Sequence, residues 1–150
     1  MQSGNSVFVS RRFNCSVGEL FDWLVQPRLI AQWFGPKLWS VKRVHTDIRV
    51  GGRYSIELTK PDNQNFFIEG EYSEINAPYS ISFTLMYIGL SSTPPKSVVK
   101  IKLEGITPNE SLLTLTQEFE HLPSDLEHRT KAWEHMLKML SKLLHPSARQ

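Results

Sequence analysis

His121, His128 and His135 stand seven residues apart, and a row of imidazoles is one way to hold a metal ion. On a helix, though, residues seven apart are separated by about 10.5 Å along the axis, while zinc binds nitrogen at about 2 Å. No metal site is expected from the row. The same stretch holds Glu127 with Lys131 and Glu134 with Lys138, pairs at the favourable i, i+4 spacing that mark a solvated helix face. His45 and Asp47 on one strand face could form an acid–base pair, but an exposed cross-strand contact explains both. Arg49 and Arg53 flank Gly51-Gly52, with Asp47 within reach. The glycines read as a turn that needs positive φ, and the functional alternative is a two-arginine clamp for a carboxylate. Cys15 precedes a helix start, where a thiolate is favoured, yet no base or cleft can be placed beside it. With no nucleophile elbow, zincin helix, phosphate loop or dinucleotide fingerprint, no catalytic residue and no cofactor is expected.

What remains is aromatic: Trp33, Phe34, Trp39, Tyr54, Phe66, Phe83, Tyr87 and Trp133. Core packing accounts for most of these rings. A sheet curved around one helix can also leave a gap at its open end, and aromatic walls with a few Tyr or Trp donors are what apolar-ligand pockets use. Trp33, Tyr54, Phe83, Tyr87 and Trp133 are the candidates for such a lining, with Met136 as an adaptable filler. The expected partner is a small apolar or aromatic molecule.

The elements that must position these rings can be read from periodicity. A β-favouring stretch over residues 6–13 gives a first strand. Ser16-Val-Gly-Glu19 has capping-box spacing, and Val17, Leu20, Phe21 and Leu24 then follow at i, i+3, i+4 and i+7. Pro27 opens a second short helix that turns Ile30, Trp33 and Phe34 inward, and Gly35-Pro36 stops it. From Leu38 to Phe119 the period becomes two, giving six strands with apolar sets such as Val44/Ile48/Val50, Tyr54/Ile56/Leu58, Ile81/Phe83/Leu85/Tyr87 and Leu113/Leu115/Phe119, the last interrupted by Gln117. The short connections favour antiparallel neighbours. A second capping box, Ser124-Asp-Leu-Glu127, starts a helix of about 20 residues, ended by Pro146, that carries Leu126, Trp133, Met136, Leu137, Leu140, Leu143 and Leu144 at helical spacing. The expectation is an α+β fold of order β-α-α-β-β-β-β-β-β-α, its curved antiparallel sheet wrapped around the long C-terminal helix.

At 150 residues, 40% hydrophobic and 21% charged, the chain has an ordinary globular composition and is read as one domain over residues 1–150. A net charge of +2 suggests no nucleic-acid partner. One cysteine, no signal-like N-terminus and no apolar run of membrane-spanning length point to a cytoplasmic protein without membrane insertion.

Four segments carry a resemblance. Trp33-Phe-Gly-Pro36, Asp47-Ile-Arg-Val-Gly-Gly-Arg-Tyr54, Gly70-Glu-Tyr-Ser-Glu-Ile75 and Ser111-Leu-Leu-Thr-Leu-Thr-Gln117, with Trp133, are similar to motifs of the activator-of-heat-shock-protein-90-ATPase-homologue-like family. The resemblance covers nearly the whole chain, and Asp-x-Arg-x-Gly-Gly-Arg is its most diagnostic part. It implies the helix-grip fold of the START and birch-pollen-allergen-like superfamily and an internal cavity rather than one reaction. Binding of a small hydrophobic molecule is the leading function it implies. The alternatives are a co-chaperone-like module with a chaperone as partner, or an enzyme using the same cavity.

Overall fold

The computed structural model describes residues 5–35, 38–90 and 93–144. Its elements are β1 (Ser6–Phe13), α1 (Val17–Val25), α2 (Pro27–Trp33), β2 (Ser40–Thr46), β3 (Arg53–Thr59), β4 (Asn65–Asn76), β5 (Ser80–Ile88), β6 (Ser97–Thr107), β7 (Glu110–Phe119) and α3 (Leu126–Leu144). This is the α+β order read from the sequence. Pro36 and Pro146, expected to stop α2 and α3, lie outside the described residues.

All seven strands join one antiparallel sheet in the order β1-β7-β6-β5-β4-β3-β2. Strands β1 and β2 are thus its opposite edges, and α1 and α2 carry the chain across one face from edge to edge. Ser16 caps α1 by accepting a hydrogen bond from the Glu19 amide at 3.1 Å, and Pro27 occupies the first turn of α2. The pair is tied down twice: the Trp33 indole donates to the Trp23 carbonyl at 2.9 Å, and the Thr46 hydroxyl of β2 donates to the Val25 carbonyl at 3.1 Å. Bulges at Val41/Arg43, Tyr72/Glu74 and Gly105/Thr107 bend the strands. On the concave face the alternation buries Tyr54, Ile56 and Leu58 of β3, Phe66, Ile68 and Tyr72 of β4, and Leu113, Leu115 and Phe119 of β7. Helix α3 covers this face with Trp133, Met136, Leu137, Leu140 and Leu144 buried beneath it.

Three local expectations are corrected. Ile48 and Val50 belong to no strand; β2 ends at Thr46, where the Asp47 amide closes the ladder on the Arg53 carbonyl, and both side chains are exposed in the following loop. The positive φ of the glycine pair falls on Gly51, at +85°, not on Gly52. Gly52 is needed for a different reason: a Cβ there would collide with the Asp47 carbonyl oxygen and lie 2.9 Å from that of Arg49. At the far end of the chain, Asp125 rather than Ser124 immediately precedes α3.

Candidate functional site

Between the sheet and the helices lie two small voids. The first, about 40 Å³, opens on the side of α1 and α2 and is walled by Trp33, Phe34, Tyr54, Phe83 and Trp133 among others. The second, about 30 Å³, lies toward the first turns of α3, against Phe34, Trp39, Tyr87, Gln117, Trp133 and Met136. The six residues singled out from the sequence therefore divide. Trp33, Tyr54 and Phe83 face the first void, Tyr87 and Met136 face the second, and Trp133 alone of the six faces both. Phe34, Ile68 and Leu85 also border both, and the Phe34 ring and the Trp133 indole, 6.2 Å apart and edge-to-face, are the aromatic pair shared by the two voids.

The polar atoms of these walls are mostly engaged with the protein itself. Tyr54 donates its hydroxyl to the Thr84 carbonyl at 2.7 Å. The Trp133 indole donates to Gln117 Oε1 at 2.8 Å, and Gln117 Nε2 donates to the Ser97 hydroxyl at 2.9 Å, with both Gln117 and Ser97 buried. This is the role of the polar residue that interrupts the apolar series of β7. Met136 Sδ accepts a weak bond from the Gly35 amide at 3.1 Å, which fastens the end of α2 to α3. At the outer end of the second void the Tyr87 hydroxyl accepts from Arg129 Nη1 at 2.9 Å, and the guanidinium carbon sits 5.1 Å from the Tyr87 ring centre.

Burial dominates the ionisation of this region. It raises the Tyr54 phenol well above its usual range, with neighbouring Tyr72, Tyr87 and Glu69 adding to the effect, and pushes Tyr72 up to about 12 with help from Asp47. Burial raises Tyr87 as well, against the opposing pull of Arg129. All three phenols are therefore neutral near pH 7 and act as hydrogen-bonding groups, not as bases.

The other residues weighed for chemistry lie apart from the voids. Arg49 pairs with Asp47 at 2.9 Å, while Arg53 reaches across to Glu71 at 3.8 Å, so the two guanidiniums do not converge as a clamp. His45 is exposed opposite Ser55, and Glu127 and Lys131 form the expected surface pair at 3.5 Å. Among the described residues no three His, Cys, Asp or Glu side chains cluster as metal ligands, and no helix is long and apolar enough to cross a membrane. Cys15 is buried, and desolvation, with Glu19 nearby, pushes its thiol up to about 11. The helix start does not produce a thiolate here, because burial outweighs it. Iodoacetamide at mildly alkaline pH is expected to label Cys15 only across the unfolding transition; rapid labelling of the folded protein would contradict this placement.

Solved structures share this architecture. A protein from Chromobacterium violaceum superimposes with a TM-score of 0.84 at 22% identity, over 96% of this chain and 99% of that one. One from Nitrosomonas europaea gives 0.81 at 19% over the full length of both. One from Silicibacter pomeroyi, itself named an AHSA1 protein, gives 0.78 at 20% over 95% and 99%. No curated protein sequence matches. At these identities the neighbours speak for the fold alone. The sequence model of the family described as Activator of Hsp90 ATPase homolog 1-like protein, however, matches residues 14–145, which include the walls of both voids. The chain belongs to that family.

Proposed function

We propose that the protein binds a small apolar or aromatic molecule between its sheet and α3, in the space that Phe34 borders. The observation that carries this reading is the pair of adjoining aromatic-walled voids that share Phe34 and Trp133. Pockets for drug-sized ligands run to roughly 300–1,000 Å³, far beyond voids of about 40 and about 30 Å³. A side chain must move for a ligand to enter. Phe34 is suited to this: it follows the last residue of α2, is only half-buried, and its segment is held to α3 by the weak Gly35–Met136 contact. An aromatic guest would take the place its phenyl ring holds. Trp133 is anchored by its hydrogen bond to Gln117 and is the fixed member of the pair.

The test is a thermal-shift screen of fatty acids, sterols, flavonoids and aromatic metabolites against the wild type and Phe34→Ala. A ligand at 100 times its dissociation constant stabilises the native state by about 2.7 kcal/mol. For a chain of this size that raises Tm by about 5–11 °C. Phe34→Ala is expected to lower the starting Tm and to enlarge the shift given by aromatic compounds, because the truncation enlarges both voids. If neither protein responds to any compound, the binding reading fails. The co-chaperone-like reading then takes its place, and capture of an Hsp90-type chaperone is its measurement.

A further inference from the structure

We infer that the bound molecule carries a single carboxylate and that Arg129 receives it at the outer end of the second void. This rests on the cavity reading above and assigns the ligand's polar end. Arg129 borders two spaces at once: the second void, and a polar surface recess of about 240 Å³ formed by residues 93–95, residues 121–125 and Arg129 itself. Its side chain is only 17% exposed, against 40% for its ion-pair partner Asp125. It is the one cationic side chain lining either void among the described residues.

A guanidinium has five N–H donors in a planar fork. In Arg129, Nε donates to Asp125 Oδ1 at 3.0 Å and Nη1 donates to the Tyr87 hydroxyl at 2.9 Å. The other three donors, both on Nη2 among them, meet no protein acceptor within the described residues. Nη2 is thus available to donate to a carboxylate oxygen in a charge-assisted bond. Asp125 sets the charge: a phosphate dianion would place two negative charges beside an existing carboxylate, whereas a carboxylate adds one. Deeper in, Tyr54, Trp133 and the side-chain oxygen of Gln117 are already engaged with the protein. The space therefore orients its guest with the apolar body inward and the anionic group at Arg129.

The experiment compares 2-naphthoic acid with methyl 2-naphthoate, and decanoic acid with methyl decanoate, by calorimetric titration of the full chain. In the wild type each acid is expected to bind about tenfold or more tightly than its ester, the scale of a charge-assisted pair. Arg129→Gln, checked for folding by its melting curve, is expected to bring acid and ester to equal affinity while leaving the esters unchanged. Arg129→Lys keeps the charge but loses the fork, and is expected to fall between the two. Asp125→Asn removes the competing carboxylate and is expected to strengthen acid binding. Esters that bind as tightly as acids in the wild type, or an acid preference that survives Arg129→Gln, overturn the role of Arg129 and leave the cavity reading standing. If no probe binds either the wild type or Phe34→Ala, both readings fall together.

Discussion

Gly70→Ala is expected to destabilise the fold by about 3 kcal/mol or more, at or beyond the upper end of what overpacking usually costs. Gly70 sits in β4 between β3 and β5, and its register partner on β3 is Tyr54. The Tyr54 side chain crosses the glycine to reach the next strand, where its hydroxyl donates to the Thr84 carbonyl at 2.7 Å. A Cβ on residue 70 would lie 2.7 Å from the Tyr54 ring and 2.7 Å from the Thr84 carbonyl carbon, and would overlap the Thr84 oxygen itself. The ring could swing aside. The carbonyl cannot easily follow, because Thr84 is paired on its other side with Val98 of β6. Urea denaturation of Gly70→Ala, alone and combined with Tyr54→Leu, separates the two clashes. The combination is expected to relieve only the ring contact and to recover little of the loss. A cost under about 1 kcal/mol for Gly70→Ala alone would mean that the sheet yields locally and that the trough for Tyr54 is not fixed. The same trough sets one wall of the first void, so a glycine in the sheet determines where an aromatic ring lies in the candidate site.

The elements were legible because burial imposes simple periods. Tyr54, Ile56 and Leu58 alternate and are all buried on one face of β3; Leu20, Phe21 and Leu24 follow the helical period and are all buried. The same rule misplaced Ile48 and Val50, whose alternation continues past Thr46 into a loop that bonds to itself and to Tyr72 of β4. Alternation reports that a face is apolar, not that a partner strand is there. Gln117 carried a usable signal, a polar residue on a core-facing register, but its partners Trp133 and Ser97 are supplied by other elements. Arg129 carried none. In sequence it is one half of an i, i+4 pair with Asp125, ordinarily a surface feature. Only the sheet order, which brings Tyr87 of β5 beneath the first turns of α3, turns that pair inward. Phe34 was visible as one aromatic among several, and its position between two voids follows from the exit of α2 toward α3.

Trp133→Ala is expected to cost at least about 3–5 kcal/mol, the range for deleting a large buried aromatic ring. Trp133 lies near the middle of α3, is 5% exposed, and faces both voids, so its removal enlarges spaces that already exist instead of leaving one that neighbours can close. A second loss comes from Gln117, whose buried Oε1 would have no donor, a penalty of about 1–3 kcal/mol. Trp133→Phe removes the same donor at a smaller packing cost, since it keeps a six-membered aromatic ring and deletes the indole N–H with the rest of the five-membered ring. A double-mutant cycle with Gln117→Leu should show the two losses to be less than additive, as expected for groups that satisfy one another. Added indole then discriminates packing from collapse. It restores both the ring and the N–H, so it is expected to raise the Tm of Trp133→Ala more than benzene does, and more than it raises that of the wild type. A destabilisation below about 1 kcal/mol would remove Trp133 from the core. Full destabilisation without indole rescue would mean that α3 has settled onto the sheet, closing the space that the ligand reading requires.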